Sequence, residues 1–571
     1  MKMTRLWSCS RTNSFDKSLS KTNRNMNVFK KLVCIVMTII LISACKEKSE
    51  KKGTVKYERP NIIIIMSDDM GYSDIAPYGG EIETPNLTKL ADNGIRLTQF
   101  YNTGRCCPTR ASLMTGCYPH QAGIGHMTNS PESPGYHNYG VPEYQGFLSK
   151  NTVTIAEALK QNGYNTFMSG KWHLGYFGKE KWPKQRGFDK FYGIVPGAAS
   201  LFKPVYPRGI TRDNDTISIS DPNYYTTDAF TDEAIKFLTD SKNEDNEKPF
   251  FLYLAYNAPH WPIQAPQEVV DKYKGKYMIG WQELREERYE RMKTMGLIDP
   301  NWKLTLQDSR DWDSLNDEKK QEMDLRMAIY AAMVDRMDQN IGKLVDSLKV
   351  NNLLDNTVII FLNDNGACAE FSELGSGPKE QLETKEGYIL SYGKAWANAS
   401  NTPYREYKHW LHEGGIATPF IVHWPDGISK EQRGNIINEY GFLPDIMATC
   451  LDLAEMDYPK EYNGNKIIPT SGKSLRPLFT ENKRIHEEPI FWEHEGNKAV
   501  RFGKFKLVQK WSADKKDNWE LYDMVSDRTE TNNIISENKE KANELIGYYN
   551  TWASKNNVRD WEEIEEILKS R

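Results

Sequence analysis

The sequence predicts an α/β fold: a large mixed, mainly parallel sheet sandwiched by helices, with a small C-terminal α+β subdomain. Three observations predict it. An unbroken aliphatic run at 61–66 and similar segments at 164–169, 250–256 and 357–362 are as expected of strands buried on both faces of a parallel sheet. Helical patterns precede two of them, at 154–161 and 325–350, the alternation of a doubly wound architecture. From about Ile485 the pattern changes to short antiparallel-type segments at 499–508 and 519–522, then a helical stretch at 536–552.

The chain begins with a segment of a different kind. Lys30 and Lys31 precede an apolar run at 32–42 that ends Ser43-Ala44-Cys45. The run is too short to span a bilayer and has the layout of a secretory signal. Ile42-Ser43-Ala44-Cys45 resembles the lipobox of bacterial lipoproteins, in which Cys45 would become the lipidated first residue. A plain secretory signal or an uncleaved anchor are the alternatives, and Met26 is an alternative start. The expected organisation is a leader at 1–44, a polar tether at 45–58, a main domain at 59–484 and the C-terminal subdomain at 485–571. It implies an envelope protein held by lipid on a periplasmic or outer face, or else one that is periplasmic or secreted.

With 571 residues, the chain is long enough for one large domain and a smaller one. The formal net charge is −4, and the first 44 residues carry eight Lys/Arg against one Asp. The remainder is therefore more acidic still, which argues against a nucleic-acid partner. Fifteen Trp and thirty Tyr are an ample supply for ring-stacking surfaces. The cysteines beyond the leader lack the dense spacing of a disulfide scaffold; a bridge from Cys107 or Cys117 to Cys368 stays open.

Taken in order, each strand runs directly into polar residues. The first gives Ser67-Asp68-Asp69, the second Gly170-Lys171-Trp172-His173, the third Asn257-Ala258-Pro259-His260, and the fourth Asn363-Asp364-Asn365-Gly366. Ligands of open α/β sheets bind outside the carboxyl ends of the strands, so the four clusters are expected to meet there. Adjacent carboxylates repel unless a cation lies between them. Asp68, Asp69, Asp364 and Asn365 are hard oxygen donors, suited to Ca²⁺ or Mg²⁺ and not to Zn²⁺. Lys171 and His173 share a face of extended backbone. Prolines flanking His260 fix its loop, as a proton-transfer group requires. The charged stretch 265–325 reads as a helical insertion, and 370–403 as a long loop near the site.

Residues 104–116 carry the most specific pattern, Gly-Arg-Cys-Cys-Pro-Thr-Arg-Ala-Ser-Leu-Met-Thr-Gly. Its core is Cys106-x-Pro108-x-Arg110; Cys107 fits neither spacing. The stretch resembles the sulfatase signature. The run from Gly163 to His173 resembles the second signature of that family, and Lys408 stands five residues before Glu413-Gly414-Gly415 as the family's lysine does. With Asp68-Asp69 and Asp364-Asn365-Gly366, five motifs follow in the family's order from about Arg59 to Glu530. The chain is similar to type I, formylglycine-dependent sulfatases of the alkaline-phosphatase-like superfamily. Gly104-Arg105 is one departure, where small or aliphatic residues are commoner.

The resemblance implies a reaction and its residues. Cys106 would be oxidised by a formylglycine-generating maturation enzyme, and the hydrated aldehyde (3-oxoalanine) would be the nucleophile. Asp68, Asp69, Asp364, Asn365 and the matured Cys106 would hold one Ca²⁺. Arg110 and Lys171 would position the nucleophile, and Lys171 and Lys408 would bind sulfate oxygens. Asp364 would take the attacking proton, His260 with Lys408 would protonate the leaving alcohol, and His173 would start sulfate release by S–O cleavage. The expected substrate is a sulfated polysaccharide or oligosaccharide of algal or glycosaminoglycan type, with aryl sulfates as further substrates. Loops at 121–145 (His126, Tyr136, His137, Tyr139) and 195–225 (Lys203, Arg208, Arg212) are candidate pocket walls. His494, in Trp492-Glu493-His494-Glu495-Gly496-Asn497, is a candidate substrate contact. His409 and His412 read as structural or substrate-contacting. A phosphonate or phosphodiester hydrolase of the same superfamily, and a non-catalytic glycan-binding lipoprotein, are the alternatives.

Overall fold

The computed structural model describes residues 59–570 apart from 129–137, 245, 246, 482, 484, 516 and 517. The expected leader, tether and lipidated Cys45, with Tyr136 and His137, lie outside the described residues.

Among the described residues, ten strands form one sheet. They are β1 (Asn61–Ser67), β2 (Ile95–Tyr101), β3 (Asn165–Lys171), β4 (Lys190–Ile194), β5 (Ile210–Arg212), β6 (Asp215–Ile217), β7 (Phe250–Ala255), β8 (Thr357–Asn363), β9 (Ala417–His423) and β10 (Asn435–Phe442). Their order is β10-β2-β9-β8-β1-β7-β3-β4-β5-β6. The middle five, β8 to β4, run parallel, and β9, β5 and β6 pair antiparallel with their neighbours.

The aliphatic runs are buried because both faces of this middle are covered. Ile63, Ile65, Leu252 and Phe361 enter one core, with Phe230 of helix Thr226–Glu244 and Met327 of helix Asp317–Val350. Ile62, Ile64, Phe251 and Ile360 enter the other, with Met114 of helix Cys106–Thr115 and Leu159 of helix Ile155–Gln161. Period-2 alternation thus supplies two apolar faces from one run. Thr154 and Glu157 form a reciprocal capping box that starts helix Ile155–Gln161.

The C-terminal region adds a four-stranded antiparallel sheet of β13 (Ile490–His494), β14 (Asn497–Phe502), β15 (Phe505–Gln509) and β16 (Trp519–Asp523). A two-stranded hairpin, β11 (Glu461–Tyr462) and β12 (Asn465–Lys466), precedes it. Trp492, Val500, Leu507 and Trp552 share one core with Tyr101 and Phe442 of the large sheet. The four-stranded sheet is thus part of one compact unit spanning Arg59–Arg571.

Two expectations are refined. The stretch 370–403 contains helix Lys394–Ser400, whose Trp396 meets Trp281 and Trp312. The charged insertion buries some of its charge: the Arg288 guanidinium, fully enclosed, is 2.7 Å from both Asp74 and Glu81. Cys107, Cys117 and Cys368 are all free, so neither of the bridges left open forms. No helix among the described residues is long and apolar enough to cross a membrane.

Candidate active site

The polar residues at the ends of β1, β3, β7 and β8 meet around the N-terminus of helix Cys106–Thr115. Close backbone approach makes this register work. Gly170 of β3 has φ +118°, and a Cβ there would stand 1.8 Å from the carbonyl oxygen of Ala255, so only glycine lets β3 and β7 deliver Lys171 and His260 side by side. Asp69 and His173 themselves have positive φ, 64° and 57°, the kind of backbone strain that persists at functional sites.

Three buried carboxylates and three buried cations interlock here. Lys171 Nζ donates to both oxygens of Asp68, at 2.9 and 2.7 Å. Arg110 grips Asp364 through Nε and Nη2, at 3.2 and 2.6 Å, and donates to the Lys171 carbonyl at 3.0 Å. Lys408 Nζ donates to Asp69 Oδ2 at 2.9 Å and to Glu370 at 3.4 Å. His260 Nδ1 donates to the Trp261 carbonyl at 2.6 Å, which leaves Nε2 facing Asp69 Oδ2 at 3.4 Å. Cys106 Sγ lies 3.9 Å from Asp69 Oδ1, at the first position of its helix, where the dipole favours negative charge.

Burial and partners set the charges. Burial would raise the Asp69 carboxyl, but His260 and Lys408 bring it below the usual range. Burial, reinforced by Asp68, lifts Asp364 to about 6 despite Arg110. The Cys106 thiol is pushed well up by burial, against the pull of Lys171 and Lys408. A thiol held protonated is a poor nucleophile. Burial, with Lys171 and Arg110, keeps the His173 imidazole neutral. Burial holds His260 at about 3, although Asp69 favours its proton.

The donor set fits a hard divalent cation. Asp68, Asp69, Cys106 and His260 offer ligand atoms all within 4.8 Å of one another. Asn365 donates its Nδ2 to Asp69 at 2.7 Å, while its buried Oδ1 has no hydrogen-bond partner. An orphaned amide oxygen beside crowded carboxylates is what a Ca²⁺ or Mg²⁺ ion would satisfy.

Nine residues read from strand ends and motifs, Asp68, Asp69, Cys106, Arg110, Lys171, His260, Asp364, Asn365 and Lys408, thus fall in one contiguous network. His173 lies two residues beyond Lys171, and its Nε2 meets Thr128 Oγ1 at 3.0 Å. His494 lies in a second cluster, 3.8 Å from Glu495 and with ring centroids 5.2 Å from His409. It is fully enclosed, and neither ring nitrogen has a hydrogen-bond partner. Enclosure does not set it apart from Cys106, which is equally buried. His412 pairs with Glu520 at 2.9 Å. Among the candidate wall residues, Arg212 pairs with Glu233 of a flanking helix and Lys203 with Glu386. His126 and Tyr139 face one another, with ring centroids 4.0 Å apart.

Two participants carried no motif. The Tyr253 hydroxyl accepts from Arg110 at 3.4 Å, from a position that reads only as core strand. Glu370 lies within an uninformative loop yet meets Arg105 at 2.9 Å, Lys408 at 3.4 Å and Trp261 Nε1 at 3.0 Å. Arg105, the departure from the family pattern, was the one available hint of it.

Comparison with known proteins agrees with this geometry. The Sulfatase family model matches residues 60–456, and the model for the C-terminal region of N-sulphoglucosamine sulphohydrolase matches 405–547. The chain is 35% identical over 533 residues to an uncharacterised sulfatase of Schizosaccharomyces pombe, covering 88% of this chain and 94% of the relative. It is 36% identical over 440 residues to an arylsulfatase of Klebsiella aerogenes, covering 74% and 92%. The crystal structure of Ps i-CgsB in complex with k-i-k-neocarrahexaose superimposes with a TM-score of 0.64 at 27% identity, covering 87% and 93%. The chain therefore belongs to the sulfatase family and is a sulfuric ester hydrolase.

Proposed function

We propose that this sulfatase removes sulfate from a sulfated polysaccharide or oligosaccharide, using formylglycine made from Cys106 and one bound Ca²⁺. The observation that carries the proposal is the convergence of Lys171, Arg110 and Lys408 with three buried carboxylates around a cysteine that burial keeps from acting as a thiolate. The bound glycan of Ps i-CgsB supports a carbohydrate substrate.

Asp68, Asp69, Asp364 and the Asn365 amide oxygen are the residues that would hold Ca²⁺, together with matured Cys106. Bound there, the ion supplies Lewis-acid polarisation of a sulfate oxygen. The protein's own groups do the rest. Arg110 and Lys171 hold the nucleophile and offset its developing charge, and Lys171 and Lys408 clamp the sulfate. Asp364 accepts the proton of the attacking hydroxyl. As the ester S–O bond breaks, the leaving oxygen takes the Nε2 proton of His260, with Lys408 beside it. A sulfate next to His260 favours its protonated form over the resting balance. Neutral His173 then takes the proton of the second hydroxyl, the aldehyde re-forms and sulfate departs. His494 is assigned to the substrate side through its unpartnered nitrogens. Cys45 as a lipid anchor and an envelope location belong to the same proposal.

The test is chemical. Mass analysis of the active protein should show the thiol of Cys106 replaced by an aldehyde, and Cys106→Ala should abolish sulfate release with the fold intact. Release surviving in C106A overturns the nucleophile assignment.

A further inference from the structure

Beside the reaction centre lies a set of rings that none of these roles uses. Trp261 follows His260 directly, and their ring centroids are 4.7 Å apart. Phe371 and Tyr388 meet Trp261 edge-on at 5.0 and 5.8 Å. Phe371 is 50% exposed and Tyr388 44%, so two aromatic side chains stand toward solvent within one ring of the residue that serves the leaving oxygen. Phe371 also has φ +79°, a left-handed conformation that is costly for a bulky side chain. A core residue recovers such a cost through packing. A half-exposed phenylalanine recovers little, so the strain points to a use at the surface.

Glu370 ties these rings to the chemistry. One carboxylate oxygen accepts from Trp261 Nε1 at 3.0 Å and from Lys408 at 3.4 Å; the other pairs with Arg105 at 2.9 Å. The Arg208 guanidinium stands 5.6 Å from the centre of the Tyr388 ring. The rings thus carry a carboxylate at the Trp261 nitrogen and a guanidinium over Tyr388. That mixture suits a ring with apolar C–H faces and hydroxyls at its rim better than a bare aryl ring.

We propose that Trp261, Phe371 and Tyr388 form the subsite for the alcohol half of the substrate, and that its occupant is a pyranose of a sulfated glycan. The proposal rests on the placement of His260 at the leaving oxygen.

Phe371→Ala and Tyr388→Ala should each raise KM for the preferred saccharide roughly three- to tenfold, the scale of one aromatic contact, with kcat within about twofold. Both positions are half-exposed, and unchanged melting temperatures would confirm that the fold is intact. The kinetics should be run on matured protein with a panel of sulfated mono- and oligosaccharides and with 4-nitrophenyl sulfate. A titration of Trp fluorescence with the desulfated saccharide should show binding to the wild type and weaker binding to Y388A. Unchanged saccharide KM in both variants overturns the subsite. A rise for 4-nitrophenyl sulfate alone, or wild-type turnover of 4-nitrophenyl sulfate without turnover of any saccharide, overturns the pyranose while leaving sulfate-ester hydrolysis standing. Turnover of no sulfate ester by matured wild type refutes the catalytic reading itself.

Discussion

Lys506→Met should destabilise this protein far more than the loss of an ordinary ion pair. Lys506 Nζ is 2.8 Å from both Glu413 and Glu530, and all three side chains are fully enclosed. Arg528 completes the group, 2.7 Å from Glu413 and 2.6 Å from the Thr98 carbonyl. Methionine fills much of the lysine volume but leaves two buried carboxylates facing one guanidinium. Breaking a buried pair from one side costs about 3–5 kcal/mol, because the remaining charge is uncompensated. The exposed pair Lys203–Glu386, 54% and 60% accessible, is worth about 0–1 kcal/mol and serves as control. With an unfolding entropy of ~2.1 cal/mol/K per residue, or ~1 kcal/mol/K for the whole, a loss of ~4 kcal/mol lowers the melting midpoint by ~4 °C. Circular dichroism melts at neutral pH measure this. Adding Glu413→Gln to K506M should restore part of the loss, since neighbouring sites couple. The pH dependence has a fixed sign. Burial would raise the Glu413 carboxyl, but Lys506 and Arg528 hold it at about 2, against 4.5 ordinarily. Its contribution is complete above pH 4.5 and drains away as pH falls toward 2. A K506M midpoint equal to that of K203M would refute the reasoning.

Three further outcomes are expected. Chelation should abolish sulfate release, and Ca²⁺ should restore it better than Mg²⁺; full activity after exhaustive metal removal would remove the ion from the mechanism. His260→Ala should slow hydrolysis of an alkyl or sugar sulfate by about 10²–10⁴, the usual worth of a positioned acid. It should slow 4-nitrophenyl sulfate much less, because that leaving group needs little protonation, so equal losses on both would argue against an acid role. His494→Phe should raise KM for the glycan and spare that for 4-nitrophenyl sulfate; a stability loss with unchanged kinetics would make His494 a structural group.

The large sheet was legible because its middle strands are buried on both faces, which forces unbroken aliphatic runs such as 61–66. The strand ends were legible for a related reason: polar residues abut those runs abruptly. The short strands β5 and β6 were not, since three-residue segments such as Asp215–Ile217 carry no period. Helix Lys394–Ser400 was missed because its neighbours are Gly- and Asn-rich, and tertiary contacts of Trp396 decide its conformation. Glu370 was invisible for a different reason. A lone carboxylate in a loop gains meaning only when folding sets Arg105, Lys408 and Trp261 around it. The same holds for Tyr253, whose hydroxyl matters only because Arg110 reaches it from helix Cys106–Thr115.

The helix that begins at Cys106 is enclosed along its whole length, from Cys106 through Thr115. An enzyme that oxidises Cys106 would need to reach a side chain that is fully enclosed once this helix has formed. If Cys106 matures as proposed, the oxidation would have to precede the closure of this helix, and a molecule that folds first would be locked out of activity. Expression that outruns the oxidising enzyme should accordingly yield a soluble, fully stable, permanently inactive population rather than a slowly maturing one.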